Sequence, residues 1–402
     1  MNKLKSINDI KALVEEYREA AVELLQKAVQ TPSSTGEETE MGKLFAKEME
    51  NFGMDVQKIE YEEGRTNLIA EWVGNEEGKK FLFNGHMDVF PPNAGIEGKF
   101  GPWSGRLEGG NLYGRGSVDM KSGDCAAMMA VRILKEQGYV PDGKIVLSYM
   151  VDEERSSEMG VISLLDNGYL TDADCGVCME PTHCGALIAQ GGIWQANISY
   201  YSEGGHAIKE IAAEDALKKS IRAIRALNKL KEQVEQRTHP VLGKQFFKIN
   251  TMHAGQMSNT IPTMSTFGFD RRFSPDDCIE DVKKEILDVL DGLKAENPDY
   301  AYDIEDICYY PSFKMNLEDE NVQAMIRASD DVLGKPTTRM GWMGGTDSAF
   351  IMNRTPAQIL VYGPGDGALT GTVDEYVSIE EYLTVIAIYI HMIDMVVGEK
   401  TA

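Results

Sequence analysis

The chain has 402 residues, 43% hydrophobic and 26% charged, enough apolar material to bury a large core and to divide into two domains. Its formal net charge of -24 argues against nucleic acid or an anionic membrane surface as a partner, because either would repel so acidic a protein. The opening segment MNKLKSINDIKALVEEYREAAVELLQ is charged throughout and lacks the apolar core of a signal peptide or membrane span, so a cytoplasmic location is expected.

In chain order, a helix is predicted from about Asn8 to Gln30. TPSSTGEE breaks it and supplies a cap for a second helix from about Glu37 to Phe52. VQKIEY, TNLIAEWV and KKFLFNGHMDV are short, rich in β-formers and punctuated by Gly, Asn or Lys, and so read as strands. A helix follows from Met120 to Gln137, with Ala126, Ala127, Met129, Ala130, Ile133 and Leu134 on its apolar face. KIVLSYMVDEE is a nearly continuous apolar run ending in acids, the pattern of a strand covered on both faces of a parallel sheet. Cys175, Cys178 and Cys184 read as structural buried thiols, because the second CxxC that a zinc ribbon needs is missing; the alternation around Cys175 to Met179 favours another strand with Cys178 in its core face.

The rhythm changes near Gly191. Strand Ile193 to Tyr201, helix Glu214 to Glu235, strand Phe247 to Met252, strand Met264 to Phe273, helix Asp277 to Leu293 and strand Tyr302 to Tyr309 give a βαββαβ order, the ferredoxin-like pattern. MGWMGGTDSAF and AQILVYGPG then resume the earlier style, and Ile379 to Val397 closes the chain as a helix. The expected architecture is α/β: a mainly parallel-sheet domain from 1–188 and 312–402, with an inserted ferredoxin-like domain at 189–311.

Ligands of open α/β sheets gather at the carboxyl ends of the strands, and acids lie at those ends here. FLFNGH ends in His86 with Asp88 close behind, VLSYMVDEE ends in Glu153 and Glu154, and CGVCME ends in Glu180. Asp119 stands at the start of the helix from Met120, where the helix dipole favours an anion. Each alone reads as a surface or capping residue. Together, carboxylates and one imidazole at converging termini suit a divalent metal and hydrolytic chemistry. The GxG of GRGSVD lacks the rest of a dinucleotide fingerprint, and no GxSxG elbow occurs.

At this point the chain resembles the zinc-dependent family of acetylornithine deacetylase, succinyl-diaminopimelate desuccinylase, aminoacylase and carboxypeptidase G. The resemblance rests on the collinear series NGHMDVFPP, LYGRGSVDMKSG, VDEE, MEPT, EGGHA, SNTIP with DRR, and GGTD. It implies that His86 and Glu180 hold a first zinc, that Asp119 bridges to a second, and that Glu154 binds the second. It further implies Glu153 as general base and Asp88 as the residue that orients His86. His206 would donate to the tetrahedral oxyanion across a homodimer, and the inserted domain would be a lid and dimerisation domain. Asn259 and Arg272 would grip a substrate carboxylate together with Gly344, Gly345 and Thr346, while Arg271 would be the solvent-facing neighbour unless strand register exchanges the two. The implied substrate is an N-acyl amino acid or small peptide with a free carboxylate, and the implied cofactor is one or two zinc ions, with cobalt or manganese as substitutes.

One position departs from the pattern. The family places a histidine shortly before an acidic pair, where GPGDGALTGTVDEYV has Gly371. Glycine cannot ligate a metal, so the second site keeps Asp119 and Glu154 unless Asp366, Asp374 or His183 substitutes. Two readings follow: a hydrolase with an altered second site, or a pseudoenzyme that binds a small molecule without turning it over.

Overall fold

The computed structural model describes residues 6–92, 95, 98–208 and 214–399. The described parts of Met1–Ile188, Met315–Met340 and Thr346–Ala402 form one compact unit, and those of Ala189–Lys314 with Gly341–Gly345 form another.

The first unit is built on a sheet with strands in the order Val56–Glu62, Arg65–Val73, Gly143–Met150, Lys79–His86, Cys175–Cys178, Gln358–Val361 and Ala186–Gln190. From Gly143–Met150 through Gln358–Val361 the pairings are parallel. The flanking pairings are antiparallel, so the sheet is mixed rather than mainly parallel. The reason is local: only Glu63 and Gly64, the latter at φ 80°, separate Val56–Glu62 from Arg65–Val73, and so short a connection can only reverse the chain.

Helices Lys121–Glu136 and Ile379–Val396 pack against the sheet and each other. Ile379–Val396 is buried nearly all round, with Ile386, Ile390 and Ile393 solvent-free and the Tyr389 ring 5.1 Å from that of Phe83. Each such buried side chain contributes about 1.5–3 kcal/mol. The predicted first helix is two, Ile7–Glu16 and Arg18–Gln30. They part at Tyr17, whose hydroxyl donates to Glu136 at 2.8 Å and accepts from Gln137 at 3.2 Å. The next helix, Thr39–Asn51, has no side-chain cap, because Glu38 at its N-cap turns to Gly36 and Arg65 instead.

The second unit runs strand Gly192–Tyr201, helix Ala216–Val234, strands Phe246–Ala254 and Met264–Phe273, helix Ile279–Glu296 and strand Tyr302–Tyr310. Its four-stranded sheet is antiparallel, with the first strand between the third and fourth and the second on the edge. The two helices close one face through Leu227, Val234, Ile286 and Leu290 against Trp194, Ile198, Phe267 and Phe269. Among the described residues no helix is long and apolar enough to cross a membrane.

Candidate active site

Parallel register brings the strand ends to one edge. His86 pairs with Met150, so Glu153 and Glu154 follow just beyond the same level, and Asn84 pairs with Cys178, two residues before Glu180. Asp119 arrives from the turn before Lys121–Glu136, and Gly123 lets that helix approach: a Cβ there would lie 2.0 Å from the Met179 carbonyl oxygen.

His86, Asp119 and Glu180 thus offer ligand atoms that lie within 4.8 Å of one another, all from buried residues. His86 Nε2 is 3.3 Å from Asp119 Oδ1, 3.5 Å from Glu180 Oε1 and 3.7 Å from Glu153 Oε2. Yet His86 Nε2, Asp119 Oδ1 and Glu154 Oε1 are buried without an aligned hydrogen bond. Buried polar atoms are ordinarily paired, so imidazole and carboxylate atoms left converging in this way fit a divalent cation as the missing partner.

The walls of the site hold these groups in place. Asp88 is fully buried; its Oδ1 accepts the Glu153 N–H at 3.1 Å, and its Oδ2 accepts the Glu154 N–H at 3.2 Å and the Thr35 hydroxyl at 2.9 Å. His86 Nδ1 meets the Asp88 backbone carbonyl at 2.9 Å, while the Asp88 carboxylate stands 3.6 Å away. His86 Nδ1 therefore faces the Asp88 carbonyl most closely with the Asp88 carboxylate within ion-pair distance, and that carboxylate also fixes the Glu153–Glu154 backbone. Arg65 braces the same turn from behind, pairing with Glu38 at 2.7 Å and Asp152 at 2.9 Å.

Burial and mutual repulsion push Glu153, Glu154, Glu180 and Asp347 toward their neutral forms. Burial, then the Asp119 charge, moves Glu180 up to about 8. Glu153 and Glu154 lie well above the usual carboxylate range, chiefly through burial. Asp347 is moved up to about 7 by burial, against a 2.7 Å bond from Ser157. Burial lowers the His86 pKa, but Asp119 and Glu180 outweigh it and raise the imidazole well above its ordinary value. All these folded-state values are raised, so in metal-free protein their contribution to stability is lost as pH rises. For Glu180 that window runs from its ordinary 4.5 to about 8. Urea unfolding in chelator is expected to show falling stability across it, and added divalent metal to restore stability most at the alkaline end. A metal-free stability that rises from pH 5 to 8 would contradict this.

Other residues singled out in the sequence lie as follows. In the second unit, His206 pairs with Thr260 on a short exposed ribbon, and the Asn259 carbonyl accepts the Ala207 N–H at 2.9 Å, so these two are neighbours. Arg272 is engaged by Asp270 through Nε at 2.7 Å and Nη2 at 3.0 Å, and donates to the Met343 carbonyl at 2.8 Å. Arg271 does not face solvent: it is 1% exposed, bonds Gln245 at 2.8 Å, and burial lowers its pKa to about 10. Alternation explains this, since Phe267, Phe269 and Phe273 occupy the core face and Arg271 shares it. Gly345 packs closely on Tyr310 within that unit. In the first unit, Thr346 is buried with its hydroxyl 2.5 Å from that of Ser348. Gly371 sits at φ +72°, and a built Cβ would find nothing nearer than Phe90 at 3.8 Å and Arg115 at 4.0 Å. The suggested substitutes are engaged elsewhere: His183 with Glu381 at 3.0 Å, Asp366 with the Ala368 N–H at 2.9 Å, and Asp374 with the Lys99 N–H at 2.6 Å. Sequence reasoning passed over Asp347, Arg115 and Glu375, whose GGTD, GRG and VDE contexts were the available signals.

Comparison with known proteins adds four findings. A family model described as peptidase family M20/M25/M40 matches residues 82–395. A probable succinyl-diaminopimelate desuccinylase of Staphylococcus aureus (strain MSSA476) is 23% identical over 402 residues, covering 92% of this chain and 95% of that protein. Among solved structures, the dipeptidase Dug1p of Saccharomyces cerevisiae superposes with a TM-score of 0.78 at 13% identity, covering 98% of this chain and 99% of that one. The YXEP protein of Bacillus subtilis, a dinuclear metal binding peptidase, does so with 0.68 at 16% identity, covering 95% and 99%.

Proposed function

The chain belongs to peptidase family M20/M25/M40, and from that premise we propose a metal-dependent amidohydrolase that cleaves an N-acyl amino acid or small peptide bearing a free carboxylate. The observation that carries this reading is the buried set His86, Asp119 and Glu180 with its unsatisfied ligand atoms, flanked by Glu153. We take zinc as the metal, with His86 and Glu180 as first-site ligands, Asp119 as the bridge and Glu154 as the second-site ligand. A divalent cation held there supplies Lewis acidity, lowering the pKa of water from about 15.7 to about 7.

The chain's own residues do the rest. Glu153 accepts the proton of the attacking water and returns it to the leaving amine. Asp88, by holding the N–H groups of Glu153 and Glu154, keeps the base and the second-site carboxylate at fixed positions. The support for His206, Asn259, Arg272, Gly345 and Thr346 as substrate-binding residues, and for a dimer-forming, ferredoxin-like second unit, is the family pattern in which they fall. Because Asp270 already engages Arg272, a substrate carboxylate would share that guanidinium rather than own its fork.

Retention of Glu153 in a buried, like-charged setting favours hydrolase over pseudoenzyme, since such a carboxylate is costly without metal or chemistry to support it. The test is a panel of N-succinyl and N-acetyl amino acids and dipeptides, assayed with zinc-loaded and with chelated protein. Turnover of at least one carboxylate-bearing member, lost on chelation and restored by metal, is expected. Zinc binding with no turnover across the panel would favour the binding-protein reading.

A further inference from the structure

We propose that Arg115 and Glu375 are a positioning pair that sets the backbone at Asp119 from the loop carrying Gly371. The proposal rests on the reading of Asp119 as a metal ligand and adds two residues outside the ligand set. Glu375 is 1% exposed, and its Oε1 accepts consecutive backbone N–H groups, Val118 at 2.9 Å and Asp119 at 3.3 Å. Its Oε2 receives Arg115 Nη1 at 2.6 Å. Arg115, itself 5% exposed, donates onward to the carbonyls of Gly371 at 3.0 Å and Thr372 at 3.3 Å. The Gly114 N–H closes the arrangement on the Glu375 carbonyl at 2.9 Å.

A carboxylate oxygen bound to two successive N–H groups fixes the tilt of the peptide between them, and so the direction in which the Asp119 side chain leaves the backbone. Asp119 Oδ1 is 3.3 Å from His86 Nε2, so a small rotation of that peptide would spread the ligand atoms. Both charges are buried, and removing either leaves the other uncompensated, so the pair acts as one unit. The Gly371 loop thereby keeps a task without a side chain: its carbonyl anchors Arg115, and the φ of +72° that presents the carbonyl is one that glycine adopts without strain.

The test uses the full chain with Glu375→Gln and, because that variant leaves the Arg115 charge uncompensated and can fail to fold, also the double replacement Arg115→Met/Glu375→Leu, which leaves no lone buried charge. In metal-free protein, hydrogen exchange of the Val118 and Asp119 amides should speed up at least about tenfold, with the amides of Gly143–Met150 unchanged. Co²⁺ should bind about 10–100-fold more weakly with an altered visible spectrum, the usual effect of removing a group that orients a ligand. Unchanged exchange at Val118 and Asp119 in a folded variant would overturn the pair's role, as would faster exchange spread evenly over the unit. The exchange result stands on metal-free protein, so it is separate from failure of the ligand reading itself, which would show as no Co²⁺ binding by the unmodified chain.

Discussion

Glu153→Gln is expected to lower turnover by about 10²–10⁴-fold, the usual cost of losing a general base, while bound metal stays nearly unchanged. Glu153 is 8% exposed, with Oε2 3.7 Å from His86 Nε2 and its backbone N–H held by Asp88 at 3.1 Å, so glutamine should occupy the same place. The amide matches the carboxylate in shape but cannot take up a proton. Zinc content and single-turnover rates of the two proteins, measured side by side, separate chemistry from binding. Unimpaired turnover in the variant would remove Glu153 from the mechanism, and loss of zinc would make it a ligand instead.

Gly371→His tests the proposed gap in a second metal site. Space permits the change, since a Cβ would meet only Phe90 at 3.8 Å and Arg115 at 4.0 Å, but φ +72° is unfavourable to any L side chain. We expect a stability loss of about 1–2 kcal/mol from that conformation. Tightly bound zinc should rise towards two per chain, and turnover of a carboxylate-bearing N-acyl substrate should increase. Gly371→Ala is the control, carrying the strain without the imidazole. Two tightly bound zinc ions in the unmodified chain would sink the empty-site idea and point to a ligand that moves in. His183, Asp366 and Asp374 would each have to leave a present partner to do so.

Much of the fold is legible because continuous apolar runs ending in acids mark strands of a buried sheet, and the residues at those ends are the ones the parallel register gathers. The second unit's βαββαβ order is legible for the same reason, since alternation and helical periodicity exchange cleanly there. What escapes is whatever depends on partners distant in the chain. The break at Tyr17 answers to Glu136 and Gln137, and the inward turn of Arg271 to Gln245 and the phenylalanines on its face. Asp88 reads in sequence only as the partner of His86, yet its carboxylate also accepts the Glu153 and Glu154 N–H groups just beyond the neighbouring strand Gly143–Met150. Helix Glu320–Leu333 carries readable signals of its own, with Asp319 capping its start and Gly334 in the left-handed conformation at its end.

The proposed metal centre of His86, Asp119 and Glu180 beside Glu153 can be sought in a crystal of the chain grown with zinc, with the ion located by anomalous scattering. The expected result is a peak about 2.0–2.2 Å from His86 Nε2 and from carboxylate oxygens of Asp119 and Glu180. No peak there, or zinc found only on surface carboxylates, would contradict the account.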